Sequence, residues 1–121
     1  CVIDEVHEIL DSDYKRSGVA TRLLKRITQQ SRAAGIIMVI CTQQPSARVI
    51  TTDITTNYNH KLALQCATHD MSKIIIGESG AEKLVGKGDA YYKCGGRKER
   101  VQCSIVKKLH QDLFDEDGSN E

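Results

Sequence analysis

The chain has 121 residues, of which 40% are apolar and 27% charged, and its formal net charge is +1. This length and balance are those of one globular domain with a core of its own. The longest uninterrupted apolar run covers only residues 36–41, which excludes a membrane span within this sequence because a spanning helix needs about 20 apolar residues.

The charge is distributed unevenly along the chain. The last ten positions hold no basic residue and five acidic ones: Asp112, Asp115, Glu116, Asp117 and Glu121. Without these acids, 17 basic residues face 11 acidic ones. That balance suits a polyanionic partner, although modestly basic surfaces are common.

The cysteines narrow the class of protein further. There are five of them, widely spaced and mostly within apolar runs: Cys1, Cys41, Cys66, Cys94 and Cys103. Their number is odd and no CxxC pair occurs. This pattern favours reduced core thiols in a cytosolic protein over a disulfide framework or a zinc site.

The first element is a short apolar run, residues 1–3, that ends in two adjacent carboxylates, Asp4 and Glu5. The run predicts a buried strand, and acids at its end would lie where ligands bind in open α/β folds. Nucleotide-hydrolysing P-loop proteins place their Walker B pair in this way. The first acid holds Mg²⁺, usually through water, and the second polarises the water that attacks the γ-phosphate. Acid pairs also cap helices and occupy solvated turns, so the pair alone leaves both interpretations open.

The rest of the chain alternates predicted helices and strands. In order, the patterns predict a helical turn at 6–10, a polar loop at 11–18, an amphipathic helix from 19 closed by residues 33–35, a buried strand at 36–41, a short helix at 49–56, a strand at 61–67, helices at 70–76 and 78–85, and hairpin strands at 89–93 and 101–106. Helical spacing supports the long helix, β-branched content supports the strand at 36–41, and Asp70 is a candidate cap. Gly95-Gly96 marks the turn of the hairpin. This order predicts an α/β layered domain whose first three strands run parallel.

A polar residue also follows the second predicted strand. Gln43 lies in the segment Thr42-Gln43-Gln44-Pro45-Ser46, which breaks that strand. In RecA-like ATPase cores the strand beside Walker B ends in a polar residue that senses the γ-phosphate and couples its loss to the following loop. Gln43 is placed for that role, although a polar residue after a strand is also an ordinary turn residue.

Four stretches of the sequence carry a more specific pattern: VIDEVHEIL, SRAAGIIMVICTQQPSARVIT, GESGAEKLVGKGDAYY and ERVQCSIV. In this order and at nearly these separations they resemble the motor domain of the FtsK/SpoIIIE family of DNA-pumping ATPases, over about residues 1–107. The resemblance implies an α/β fold, a partial RecA-like P-loop NTPase core with a mostly parallel sheet flanked by helices and a closing β-hairpin. It also implies that residues 1–108 are the carboxyl-terminal part of a motor domain and that 109–121 are an acidic tail or linker.

The resemblance assigns roles to residues of a nucleotide site. Asp4 corresponds to the Walker B acid associated with Mg²⁺, Glu5 to the catalytic base and Gln43 to the sensor, so ATP and Mg²⁺ are the implied cofactors. Arg32, at the end of the long helix, corresponds to an arginine finger that reaches the nucleotide of a neighbouring subunit. Its alternative role is to complement the helix dipole, worth roughly a few tenths of a kcal/mol.

The loops after the first two strands occupy places where RecA-like motors contact nucleic acid. Lys15, Arg16 and Arg48 are therefore expected to contact the phosphates of double-stranded DNA, independently of sequence and in a salt-sensitive way. The alternative is that they are ordinary solvated cations. Two departures from the family pattern, Gln44 and Lys61 in place of arginines, indicate a divergent branch and leave any role of Lys61 open, since lysine keeps the charge but not the bidentate fork.

The phosphate-binding loop is absent from the sequence. No G-x-x-x-x-G-K-[ST] occurs, and the nearest candidate, Gly86-Lys87-Gly88, belongs to the GAEKLVGKGD stretch. The nucleotide cradle is therefore expected upstream, outside this chain. The chain alone is expected to bind ATP poorly and to hydrolyse none.

The resemblance implies part of an ATPase whose identical subunits form a ring, most simply a hexamer, that drives double-stranded DNA through its centre. A cytoplasmic location is expected, with no membrane contact by this segment and with tethering through other regions left open. A type VII secretion or conjugative coupling ATPase shares the motifs and would engage protein or single-stranded DNA. A non-hydrolysing scaffold domain is the alternative from a different class.

Overall fold

The computed structural model describes residues 1–14, 18–31, 33–48 and 50–105. The elements, in chain order, are β1 (Val2–Ile3), α1 (Val6–Tyr14), α2 (Val19–Gln30), β2 (Val39–Ile40), α3 (Thr52–Thr55), β3 (His60–Leu64), α4 (His69–Ile76), a 3₁₀ turn (Ala81–Lys83), β4 (Asp89–Cys94) and β5 (Arg97–Gln102). None of the helices in these ranges is long and apolar enough to span a membrane. The predicted tail at 109–121 lies outside the described residues.

The first two strands form a short parallel pair. Val2 lies opposite Val39 and Ile3 opposite Ile40, and the Cys41 N–H donates to the Ile3 carbonyl over 2.9 Å. The predictions of buried strands over residues 1–3 and 36–41 are wrong in part. Each strand has only two residues, Ile37 lies outside the ladder, and Val2, Ile37 and Val39 are 70, 82 and 45% exposed. The chain leaves α2 through Gly35, whose φ is +69°, and the Ile37 carbonyl then accepts a hydrogen bond from the amino group of Cys1 over 2.8 Å.

The helices that follow β1 pack around one apolar cluster. Its buried members come from α1, α2 and α3: Val6, Leu10, Leu24 and Ile54. Since Val6 and Leu10 are one helical turn apart, they hold α1 against α2, and α1 continues to Tyr14. The prediction of a loop beginning at residue 11 is therefore wrong. Asp13 at the end of α1 accepts hydrogen bonds from the Thr21 N–H, at 3.0 Å, and from its hydroxyl, at 3.3 Å, within the first turn of α2.

The last three strands form a separate antiparallel sheet in the order β3-β4-β5. Leu62 lies opposite Tyr92 across β3 and β4, and the Gly95-Gly96 turn joins β4 to β5 as predicted. The predicted strand at 101–106 is wrong in its bounds, because β5 begins at Arg97 and ends at Gln102. The prediction that the third strand runs parallel to the first two is wrong, since β3 pairs antiparallel with β4. Its alternating pattern has the same form in either direction, so the direction follows from the hairpin edge that the strand joins.

Helix α4 and the 3₁₀ turn cover one face of this sheet. Ile76, Ala81 and Leu84 pack against Ala63 in a second buried cluster. The cap of α4 is Thr68, whose hydroxyl accepts from the Met71 N–H at 3.3 Å, so the assignment of Asp70 as the cap is wrong.

The predicted helix over 78–85 is reduced to the 3₁₀ turn. Ser72 holds this segment in another shape: its hydroxyl donates to the Glu78 carbonyl, at 2.7 Å, and accepts from the Ala81 N–H, at 3.1 Å. The Glu78 carbonyl and the Ala81 N–H therefore have hydrogen-bond partners without an α-helical turn.

The cysteines are less buried than their apolar surroundings suggest. All five are free thiols, and Cys1, Cys41 and Cys94 are exposed. The prediction of core thiols is therefore wrong for these three.

Two carboxylates that form ion pairs with strands of the antiparallel sheet predict acid sensitivity. Arg100 donates two hydrogen bonds, of 2.8 and 2.7 Å, to Asp89, and Lys93 and Lys98 contact Glu78 at 2.8 and 2.7 Å. These partners lower the pKa of each carboxyl to about 2, from ordinary values of 3.8 and 4.5. Because the folded pKa lies below the unfolded one, the contribution to stability is complete above about pH 4.5 and is lost as the pH falls toward 2.

We therefore expect the midpoint of thermal unfolding to be constant near neutral pH and to fall steadily below about pH 4.5. Circular dichroism at constant ionic strength measures this. The Glu78→Gln variant has lost one of the two titrating groups and should show a shallower acid decline. A wild-type midpoint that does not change down to about pH 2 would contradict the assignment.

Candidate active site

The two adjacent acids lie at the carboxyl end of β1, as the sequence predicts. Asp4 is exposed and Glu5 is half-buried. The Glu5 N–H donates to Asp4 Oδ1 over 3.0 Å, and the next residue, Val6, donates its N–H to the Cys41 carbonyl over 3.0 Å. The φ of Glu5 is +49°, a conformation that costs a non-glycine residue about 1–2 kcal/mol. Such strain persists only where surrounding contacts fix the backbone, and it is concentrated at functional sites.

The segment after β2 binds the Glu5 side chain directly. Glu5 Oε1 accepts a hydrogen bond from the Thr42 hydroxyl, at 3.2 Å, and one from the Gln43 main-chain N–H, at 3.1 Å. The Thr42 hydroxyl also accepts from the Gln44 N–H at 3.2 Å. Among the described residues, nothing donates to Glu5 Oε2. One oxygen of the carboxylate therefore fixes its position, and the described part of the chain leaves the other oxygen without a donor.

These residues line an open cleft of about 990 Å³, here called the acid cleft: Asp4, Glu5, His7, Glu8, Asp11, Ser12, Gln43 and Gln44. Four of the side chains are carboxylates. A nucleotide carries several negative charges, so it can approach this wall only if a cation lies between the carboxylates and the phosphates. Nucleotide binding at this wall would therefore need a cation beside the carboxylates.

The side chains of the acid cleft fit magnesium with a nucleotide but do not form a complete cage. No group of three or more His, Cys, Asp or Glu residues within the described ranges is arranged to hold a metal. Mg²⁺ at nucleotide sites takes one or two carboxylates and completes its shell with phosphate and water oxygens. Asp4 suits this role because it is exposed. Of its two carboxylate oxygens, only Oδ1 accepts a hydrogen bond from the described residues.

The structure unites some of the predicted site residues and leaves others unassigned. Asp4, Glu5 and Gln43 meet in the acid cleft, although Gln43 contacts Glu5 through its main chain and not its side-chain amide. Lys15, Arg16 and Arg32 lie outside the described residues.

Arg48 is tied to the wall of the acid cleft. Its guanidinium donates to the Asp11 carboxylate of α1. A residue predicted as a DNA contact therefore bridges the loop after β2 to the helix after β1.

Thr42 is a site residue that the sequence patterns did not identify. A hydroxyl directly before the predicted sensor is a local signal that was available, but a threonine at a strand end is common. Asp11 was likewise assigned to a polar loop, while the structure places it on α1 facing the acid cleft. Its ion pair with Arg48 joins residues 37 positions apart, and no local pattern reports such a pair.

Comparison with solved structures identifies the fold. The conjugation coupling protein TcpA of pCW3, determined with ATPγS, superimposes with a TM-score of 0.71 at 29% identity over 84% of this chain and 30% of that one. The cytoplasmic domain of the type VII secretion ATPase EccC of Thermomonospora curvata, at 18% identity, shows the fold alone, with a TM-score of 0.76 over 92% of this chain and 13% of that one. The fold is that of RecA-like ATPase domains. The predicted fold class is confirmed, with more antiparallel sheet than expected.

Sequence comparison finds relatives of known name at higher identity. The DNA translocase FtsK of Corynebacterium glutamicum is 38% identical over 108 residues, 88% of this chain, and FtsK of Staphylococcus aureus (strain Mu50) is 40% identical over 91 residues, 75% of it. In both cases the match covers 11% of the relative, so the chain spans about a ninth of the length of these proteins. No protein-family model matches the sequence. The predicted relationship is confirmed: the chain is a homologue of a segment of the FtsK DNA translocases.

Proposed function

We propose that the chain is part of an ATP-driven motor that translocates double-stranded DNA, with residues 1–108 forming the carboxyl-terminal part of its motor domain and 109–121 a tail or linker. The observation that carries this proposal is the contact of one Glu5 oxygen with the Thr42 hydroxyl and the Gln43 N–H. A carboxylate held by the neighbouring strand end, with its second oxygen available, has the geometry of a general base coupled to a sensor.

In this proposal each residue of the acid cleft has a separate task. Glu5 accepts a proton from the water that attacks the γ-phosphate, and Asp4 holds the magnesium ion, usually through water. When bound, magnesium neutralises charge on the phosphates. Thr42 and Gln43 report the state of the nucleotide to the following loop, because any movement of that loop alters the hydrogen bonds that position Glu5. Arg48 extends the same connection to α1 through Asp11.

The remaining parts of the motor are supplied by the assembly and by other segments. We propose that a phosphate-binding loop lies upstream, that Arg32 reaches the nucleotide of the adjacent subunit in a homomeric ring, and that Lys15, Arg16 and Arg48 contact DNA phosphates. Two observations support DNA as the cargo: the curated relatives are named DNA translocases, and the chain without its last ten residues has an excess of basic side chains.

The test is ATP hydrolysis by the longer protein in which this chain is joined to a phosphate-binding loop. We expect hydrolysis to be stimulated by duplex DNA of any sequence and the stimulation to weaken as salt is raised. The 121-residue chain alone is expected to show no turnover above its Glu5→Gln variant. Hydrolysis that is indifferent to every nucleic acid would contradict translocation of DNA.

A conjugative coupling ATPase is the second candidate, favoured by the structural similarity to TcpA. Such a motor would be stimulated more strongly by single-stranded DNA than by duplex of the same length. Comparing the two forms at equal nucleotide concentration separates the candidates. Stimulation by a protein substrate without DNA would favour the type VII class instead.

A further inference from the structure

Three lysines lie side by side across the antiparallel sheet. Lys61 on β3 is directly opposite Lys93 on β4, and Lys93 is directly opposite Lys98 on β5. Directly paired residues project from the same face of a sheet, and like charges in such positions destabilise it. We call these three residues the lysine row. Their positive charges repel one another unless nearby anions offset the repulsion.

One carboxylate offsets two members of the lysine row. Glu78 contacts Lys93 Nζ at 2.8 Å through Oε1 and Lys98 Nζ at 2.7 Å through Oε2. Lys93 Nζ also donates to the Ile76 carbonyl at 2.8 Å. Lys61 has no acidic or hydrogen-bonding partner among the described residues. The three ammonium groups and one carboxylate leave two positive charges, one on Lys61 and one shared by Lys93 and Lys98.

Lys61 faces a second cleft, smaller than the acid cleft and sharing no residue with it. This cleft, here called the lysine cleft, has a volume of about 190 Å³ and is lined by Thr56, Tyr58, Asn59, Lys61, Lys93 and Gly95. Asn59 is exposed, and its side-chain amide is a further donor on the rim. Partial burial, and then the Lys93 ammonium, lower the pKa of Lys61. Within the described ranges, no acidic side chain contacts this ammonium group.

We propose that the lysine cleft binds a phosphate group. A terminal phosphate carries about 1.5 to 2 negative charges at neutral pH, which matches the two uncompensated charges of the lysine row, whereas a carboxylate would neutralise only one. Lysine is a common phosphate ligand that acts as a point charge. The phosphate belongs to a nucleotide or to a nucleic acid end or backbone, and these sources share the same chemistry at the lysine cleft.

The test measures the binding of inorganic phosphate, ADP and duplex DNA to the 121-residue chain, which contains no phosphate-binding loop of its own. Lys61→Met keeps the aliphatic stem and removes the charge. We expect it to weaken phosphate binding by about tenfold or more, the effect of losing one charge-assisted hydrogen bond. Lys61→Arg should bind within about threefold of wild type, because the charge remains. Lys83→Met, which removes one exposed charge outside the lysine cleft, should leave binding unchanged.

A second measurement separates a ligand site from a structural role. Without phosphate, Lys61→Met should unfold at the same temperature as wild type or a higher one, since it removes repulsion from Lys93. With phosphate, only the wild type and Lys61→Arg should gain in unfolding temperature. Phosphate binding should also raise the pKa of Lys61 in a titration followed by NMR.

The ligands distinguish the source of the phosphate. Tighter binding of ADP than of duplex DNA, with both weakened by Lys61→Met, supports a nucleotide, and the reverse order supports a nucleic acid. Equal affinity for acetate and phosphate at matched ionic strength would overturn the proposal. Equal losses in Lys61→Met and Lys83→Met would also overturn it, because the effect would then be one of net charge. None of these outcomes depends on ATP hydrolysis or on the acid cleft.

Discussion

Replacing Glu5 by glutamine is expected to lower ATP hydrolysis by about 100- to 10,000-fold, the contribution of a general base. Glutamine has nearly the same shape, and its amide oxygen can still accept from the Thr42 hydroxyl and the Gln43 N–H, which contact Glu5 at 3.2 and 3.1 Å. The geometry of the acid cleft should therefore survive while the proton acceptor is lost. The measurement is steady-state hydrolysis by the longer protein that includes a phosphate-binding loop, with saturating DNA.

Glu8→Gln is the matched control for this prediction. Glu8 lines the same cleft and carries the same charge, but it contacts neither Thr42 nor Gln43, so its replacement should cost far less activity. Nucleotide affinity should be retained in Glu5→Gln, which separates loss of chemistry from loss of binding. Equal losses in the two variants would show that the charge of the wall matters and that Glu5 has no special role.

Two acids of the acid cleft, Asp4 and Glu5, were predictable because their signal is local. Asp4 and Glu5 follow an apolar run, and the structure places them at the end of a strand. Gln43 was predicted from its position after the next strand. The position is right, but the group that contacts Glu5 is the main-chain N–H and not the side-chain amide that the motif suggested. The role of Thr42 could not be predicted from the sequence, because it depends on the distance between its hydroxyl and Glu5.

The same division between local and long-range signals applies to the fold. The amphipathic helix from Val19 and the Gly95-Gly96 turn are encoded within a few residues, and both are confirmed. The direction of β3 and the exposure of Ile37 depend on which strand lies alongside, information that the periodicity of a single segment does not contain. The predicted helix at 78–85 likewise does not form, because the Ser72 hydroxyl donates one hydrogen bond to this segment and accepts another from it.

Replacing Leu10 by alanine is expected to lower the free energy of unfolding by about 2–5 kcal/mol, the usual cost of such a cavity in a packed core. Leu10 is only 2% exposed and lies in the cluster that joins α1, α2 and α3. Domains of this size are stable by roughly 5–15 kcal/mol, so the loss is a large share of the total. The measurement is equilibrium unfolding in urea, followed by circular dichroism.

Ile9→Ala tests whether this effect comes from burial and not from the helix. Ile9 is the preceding residue of α1 and is 51% exposed, so its truncation leaves no closed cavity and should cost less than about 1 kcal/mol. Because α1 also carries Asp11 on the wall of the acid cleft, loosening Leu10 should disturb the Asp11 to Arg48 contact, whereas Ile9→Ala should not. Equal unfolding midpoints for the two variants would mean that the apolar cluster does not hold α1 in place, and the cleft would then need another source of rigidity.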